Sequence, residues 1–247
     1  MKLLSALFSI SCLCASITAL QAAPTPAEVI RQARVKIGTE ATLSAVRSLS
    51  LEGNAFDADG KKIGLVLNDY KLPNKRREYS FRTDRNAEIT LASNGLEGFL
   101  KSRDLNTQQT PVRLLNGTEL KASTDILHAE LDFFATPKGG KITYAGEGTQ
   151  QGKVCNILEY QYAGGIIIRR YFEKTTALLV AQEIYDATTP KEDRRLVVFE
   201  GVLESEGIRF PKKIINYAKG KIDSSIEYTA VKVNPTIPDS VFAFPMP

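Results

Sequence analysis

The sequence has no tryptophan, one histidine, two methionines and three cysteines in 247 residues. Each scarcity removes a possibility. The lone histidine, His128, cannot supply paired imidazoles, and Cys/His clusters at metal-ligand spacing are missing, so no metal is expected. No Gly-x-Ser-x-Gly elbow occurs, and a Ser-His-Asp set would have to use His128 with no local motif in support. No catalytic residues are therefore assigned and no cofactor is expected. Cys12 and Cys14 lie in an N-terminal apolar stretch. If that stretch is removed, Cys155 alone remains and no intramolecular disulfide can form. The fold must then be held by its core. Cys155 sits in an alternating pattern and reads as a small buried apolar residue. No later apolar run spans a bilayer; Ile166-Ile167-Ile168 is three residues where about 20 are needed. Charge of one sign is also lacking. Without Lys2 the chain has 31 basic and 28 acidic residues, a net charge of +3, which gives no nucleic-acid footprint.

The N-terminus carries an export signal. Lys2 forms a short positive region, Leu3 to Leu20 is apolar or small, and Leu20-Gln21-Ala22 offers a cleavage site after Ala22. Cys12 and Cys14 lack the Leu-small-small context of a lipoprotein signal. An exported, periplasmic protein is expected, with an uncleaved anchor as the alternative. Cutting after Ala22 leaves 225 residues, read as a single domain over 23–247.

The mature chain opens on a helix. Thr25-Pro26-Ala27-Glu28 combines an N-cap, a Pro at the first helical position and a capping-box Glu. Val29, Ala33 and Ile37 make an apolar stripe and Gly38 stops it. Thr39 caps a short second helix carrying Leu43 and Val46. The period then changes to two. Strands are predicted over Ser48–Asp57, Lys62–Leu72, Arg76–Arg82, Ala87–Ser93, Gly95–Ser102 and Thr110–Leu115. A middle helix follows over Thr118–Phe134, with Leu120, Leu127, Leu131 and Phe134 on one face. Seven more strands are predicted over Lys141–Glu147, Lys153–Tyr162, Ile166–Glu173, Leu178–Asp186, Arg194–Leu203, Gly207–Ala218 and Ile222–Val233. Successive hairpins of this kind predict a mainly β, α+β fold: one curved antiparallel sheet of about 11–13 strands, an unclosed barrel wrapped around helices.

Several motifs dissolve on inspection. Asp57-x-Asp59-Gly60 starts like a calcium loop but lacks the remaining ligands, so it reads as a hairpin turn. Gly148 to Lys153 is one residue short of a phosphate loop, and Val154 stands where Ser or Thr is required. The basic clusters Lys75-Arg76-Arg77, Arg169-Arg170, Arg194-Arg195 and Lys212-Lys213 read as solvated strand faces or ends, with weak attraction to anionic headgroups as the alternative.

Four segments carry a resemblance. Tyr70 to Tyr79, with Leu72-Pro73-Asn74 at its centre, resembles a hairpin of the LolA-like outer-membrane lipoprotein-sorting family. Ala92 to Phe99, with Asn94-Gly95 and then Phe99, is similar to the following turn, where the family has a Trp. Phe199-Glu200-Gly201 through Gly207 to Pro211 resembles a late hairpin of larger relatives. Val241-Phe242-Ala243-Phe244-Pro245 is similar to the family's closing Phe-x-Phe-x-Pro.

The resemblance implies the LolA-like open barrel around a hydrophobic cavity. It implies binding of lipoprotein acyl chains or other lipid, outer-membrane lipoprotein sorting, and partners in an inner-membrane release complex and an outer-membrane receptor. A non-enzymatic, monomeric carrier is the expectation. The alternatives are an envelope regulatory or structural module that binds a protein partner, and a hydrolase using cavity carboxylates. Leu72 occupies the place of the family's arginine, so the family's hydrogen-bonded lid is not expected. Inward alternation and the middle helix nominate Leu65, Leu67, Leu72, Tyr79, Phe81, Phe99, Leu127, Leu131 and Phe134 as the lipid-cavity lining.

Overall fold

The computed structural model describes residues 23–245; the expected signal segment and its cut after Ala22 lie outside them. Two helices open the described chain, α1 (Pro26–Ile37) and α2 (Glu40–Ser44). The Thr25/Glu28 capping box forms as the sequence dictates. Gly38 ends α1 in an extended conformation, not a left-handed one. Val46 falls just beyond α2 and still packs in the core.

Six strands then meander: β1 (Ser48–Asp57), β2 (Lys62–Lys71), β3 (Lys75–Arg82), β4 (Ala87–Ser93), β5 (Gly98–Asp104) and β6 (Val112–Leu114). The turns use the chemistry expected of them. Asp57 Oδ1 accepts from the amides of Asp59 (3.1 Å) and Lys61 (2.9 Å), so that motif is a turn. Helix α3 (Gly117–Leu131) follows, capped by Asn116 and Glu119. The second half holds β7 (Lys141–Gln150), β8 (Lys153–Gln161), β9 (Ile167–Glu173), β10 (Leu179–Tyr185), β11 (Arg195–Glu200), β12 (Leu203–Ser205), β13 (Ile208–Phe210), β14 (Lys213–Ala218) and β15 (Lys221–Val233).

Among the described residues thirteen strands make one antiparallel sheet, in the order β6-β5-β4-β3-β2-β1-β15-β14-β11-β10-β9-β8-β7. The long last strand β15 pairs with β1 and joins the two meanders. The edges β6 and β7 stay unpaired with each other, so the barrel is open. These edges are consecutive strands, joined only through α3. The helix must therefore cross the sheet to reach the far edge, and the face it crosses becomes the inner one. Ser123 on α3 meets Ser93 at 2.8 Å, and Arg76 Nη1 donates to it at 3.3 Å. From the other half, Arg170 Nη2 donates to the Ala129 carbonyl at 3.0 Å. Asp125 accepts from the amides of Gly164 and Ile166 at the turn before β9. Leu127 and Leu131 pack with Leu49, Leu51, Tyr70 and Tyr228 in the main core cluster.

The structure corrects three expectations. The predicted strands over Arg194–Leu203 and Gly207–Ala218 are each broken. Gly201 takes φ +64, and Pro211 brings no backbone donor to the ladder, so β12 and β13 leave the sheet as a separate hairpin. The middle helix ends at Leu131, because Phe133 (φ +44) and Phe134 (φ +71) turn left-handed. Finally, the basic clusters are not all solvated. Arg76 is 5% exposed and Arg170 3%, whereas their neighbours Arg77 and Arg169 stand on the opposite face, paired with Asp69 and Glu159. Period-two alternation sends consecutive arginines to opposite sides.

The outer face of the first half is crossed by the C-terminal segment. Ser48 Oγ donates to the Pro235 carbonyl (3.0 Å), Phe242 is buried, and Phe244 meets Phe99 edge-on at 5.7 Å. Asp239 accepts from Lys71 (2.8 Å) and also pairs with Lys75 (2.6 Å); hydrogen bonds from the two ammonium groups hold its carboxyl down at about 2. The ordinary value is 3.8, so this fastening is fully present above pH 3.8 and is lost as pH falls through about 2. The Phe244 ring resonances are expected to hold their positions at pH 4 and to move only below about pH 3. Movement already at pH 5 contradicts the pairing.

Candidate functional site

The inner face encloses a cavity of about 560 Å3, within the range of about 300–1,000 Å3 typical of small-molecule sites. Its walls come from the sheet centre: Leu49, Leu51 and Tyr70 from the first half, with Val197, Phe199, Ile214, Ile226 and Tyr228 from the second. The C-terminal end of α3 closes one side through Ala129, Glu130, Phe133 and Phe134. The β12–β13 hairpin and its flanks close another through Val202, Phe210 and Pro211. Phe133 packs edge-on against Phe210 at 6.2 Å, so helix end and hairpin meet.

The left-handed Phe133-Phe134 pair is held from outside. Arg34 of α1 donates to the carbonyls of Asp132 (3.0 Å) and Phe133 (2.7 Å), and Tyr160 Oη donates to that of Phe134 (3.2 Å). Residues in this region of φ/ψ persist only where surroundings fix them. Burial pushes the Tyr160 hydroxyl up to about 12, so it remains a donor. Arg170 lies over the Tyr160 ring at 4.4 Å and the Phe134 ring at 5.2 Å.

Charge at the site divides by depth. Two ion pairs lie at its outer part, Lys153 with Glu173 at 3.3 Å and Arg209 with Glu204 at 3.2 Å, while Glu200 also lines the cavity without an ion pair. Deeper, Glu130 projects from α3 within the protein envelope, yet its side chain is exposed to the cavity. Loss of bulk solvation raises its pKa, with Arg170 and Arg76 pulling the other way. Among the described residues no group of three or more His, Cys, Asp or Glu could hold a metal ion.

Of the nine nominated residues, Phe134 lines the cavity. Leu127 and Leu131 are buried in the core beside it, and Leu72 packs against that core. The other five face elsewhere. On β2 the inward residues are Val66, Asn68 and Tyr70; Leu65 and Leu67 point outward, and their cross-strand partners Phe81 and Tyr79 stand with them. Leu65 is 47% exposed. Phe99 is buried, but on the outer face beneath Phe244. The physical reason is register: one residue of slip exchanges the faces of a strand. Missed altogether were Val197, Phe199 and Ile214 on the second half of the sheet and Phe210 on the hairpin. Alternation along Val197-Val198-Phe199, with Gly201 and Pro211 as breakers, was the available signal.

No protein-family model matches the sequence, and no curated protein matches it. Solved structures do. A DUF1329 family protein from Desulfovibrio piger superposes with a TM-score of 0.56 at 13% identity, over 90% of this chain and 98% of that one. A LolA superfamily protein from Nitrosomonas europaea gives 0.53 at 12%, over 90% and 99%. A domain described as an outer-membrane lipoprotein-sorting protein, from Vibrio parahaemolyticus, gives 0.51 at 7%, over 87% and 94%. At such identities the likeness is one of fold alone, the LolA-like open antiparallel barrel, and it extends over nearly all of the described residues.

Proposed function

We propose that the protein is a non-enzymatic, monomeric carrier that acts outside the cytoplasm, in the periplasm, and holds an acyl chain of a lipid or lipoprotein in the inner cavity. One observation carries this reading. Apolar side chains from both halves of the sheet, the end of α3 and the β12–β13 hairpin converge on a single space of about 560 Å3. A globular core of this size closes on itself to native density, so a space this large along the barrel axis has a use. The likeness in fold to a lipoprotein-sorting domain supports the choice of cargo. The N-terminal export signal supports the location. Each buried methylene contributes about 0.8 kcal/mol, so a chain can bind without an ionic anchor. Outer-membrane lipoprotein sorting, with an inner-membrane donor and an outer-membrane acceptor, is the finer form of the proposal. Leu72, packed into the core where the family has its arginine, means that any closure of this cavity uses other residues.

The test is a titration of the detergent-free protein with an acyl chain bearing an environment-sensitive fluorophore. Saturable 1:1 brightening, reversed by an unlabelled chain, is expected. Failure to take up any acyl chain overturns the reading and favours a module that binds a protein partner on the same sheet.

A further inference from the structure

Glu130 is an unpaired carboxylate that the end of α3 brings to the cavity wall. It makes no hydrogen bond or salt bridge among the described residues, although it is exposed to the space a ligand would fill. The groups that face it electrostatically are Arg170, Arg76, Glu78, Tyr70, Tyr228 and Tyr162. Arg76 is committed to Glu78 by a short ion pair. Arg170 donates to Ala129 and is sealed beneath Phe134; its Nε and Nη1 are buried without partners, so a ligand cannot reach them while that ring stays in place. The two arginines and two glutamates balance in charge. Of these four charged groups, the one exposed to the cavity is an acceptor, the Glu130 carboxylate. Also on the cavity wall is Gln182, buried, opposite Arg170 across the β9–β10 ladder. A carboxylate in a largely apolar enclosure is stabilised by a donor and destabilised by a second anion.

Resting on the lipid-cavity reading, we propose that Glu130 selects single-chain lipids that carry a neutral, hydroxyl-bearing headgroup inward, and turns away free fatty-acid carboxylates. Arg76 and Arg170 already offset Glu78 and Glu130, so an ammonium headgroup gains less here than at an isolated carboxylate, and the Gln182 amide carries a donor and an acceptor suited to the hydroxyls and ester of an acylglycerol. An anion entering beside Glu130 would face like charge in a low-dielectric site.

The experiment compares three probes of one chain length, monolauroylglycerol, methyl laurate and laurate, by competition for the fluorescent acyl probe at pH 8. The proteins are the wild type, Glu130→Gln and the control Glu192→Gln, at an exposed position outside the cavity lining. The wild type is expected to bind monolauroylglycerol about tenfold more tightly than methyl laurate, with laurate weakest by at least a further tenfold, the scale of one charge-assisted hydrogen bond gained or one like-charge contact. Glu130→Gln, which loses no protein partner and so keeps the fold, is expected to raise laurate affinity by about tenfold and to narrow the preference for the glycerol ester. Glu192→Gln leaves the order unchanged. If the three probes bind the wild type within about threefold of one another, or laurate binds tightest, the headgroup inference fails and the acyl cavity stands. The same holds if Glu130→Gln leaves the order intact. If no probe binds, the cavity reading fails and this inference with it.

Discussion

Val197→Asp is expected to abolish acyl-chain uptake while leaving the fold intact. Val197 lies on the inner face of β11, between Gln182 of β10 and Asn216 of β14, and contributes to the cavity wall where the two halves of the sheet converge. It is half-buried, so a carboxylate there keeps contact with cavity water and the ladder hydrogen bonds are untouched. The charge cannot share that space with a hydrocarbon chain. Excluding about four methylenes at about 0.8 kcal/mol each weakens binding by about 3 kcal/mol, roughly a hundredfold or more. The matched change is Leu65→Asp on the outer face, at a position 47% exposed. It should leave uptake unchanged. A titration of both variants with the fluorescent acyl probe decides the register as well as the site, because a one-residue slip would reverse the two outcomes.

Leu127→Ala should be the most destabilising single truncation on α3. Its side chain is fully buried, and it packs with Leu131, Tyr70 and Leu49 where the helix crosses the sheet. Leu→Ala at such a site costs about 2–5 kcal/mol through lost transfer energy and the cavity left behind. At roughly 2–4 °C per kcal/mol for a chain of this size, Tm falls by about 5–15 °C. Leu65→Ala should shift Tm by no more than about 2 °C, since exposed substitutions stay within about 0.5 kcal/mol. Equal losses from the two would mean that α3 does not lie against the inner face.

The contrast between Leu65 and Leu127 shows where the sequence is legible. The thirteen main strands follow from period-two patterns and turn residues at Asp57–Gly60, Asn94-Gly95 and Gln151-Gly152, because these are local signals. Helix α3 follows from its spacing of leucines. Facing is another matter. The run Ile63-Gly64-Leu65-Val66-Leu67 is apolar on both parities, so alternation cannot say which set turns inward. What decides it lies elsewhere in the chain, in Ser123 and Leu127 on α3 and in Phe242 and Phe244 over the outer side. The expectation that Arg76 and Arg170 are solvated fails for the same reason. Burial of a guanidinium is costly, and only the convergence of Glu78, Tyr160 and the Ala129 carbonyl from distant elements makes it tolerable. The cavity wall contributed by the second half depends on a hairpin thrown out of the sheet between Gly201 and Pro211. Composition marks the breaks there but not the direction taken.

The proposed occupant of the inner cavity is an acyl chain. Native mass spectrometry of the mature protein, purified from the envelope fraction without detergent and followed by lipid extraction, tests it most directly. A stoichiometric adduct is expected that extracts as a single-chain lipid or an acylated protein and is missing from Val197→Asp. A clean protein mass in the wild type that stays unchanged on adding monolauroylglycerol would contradict it.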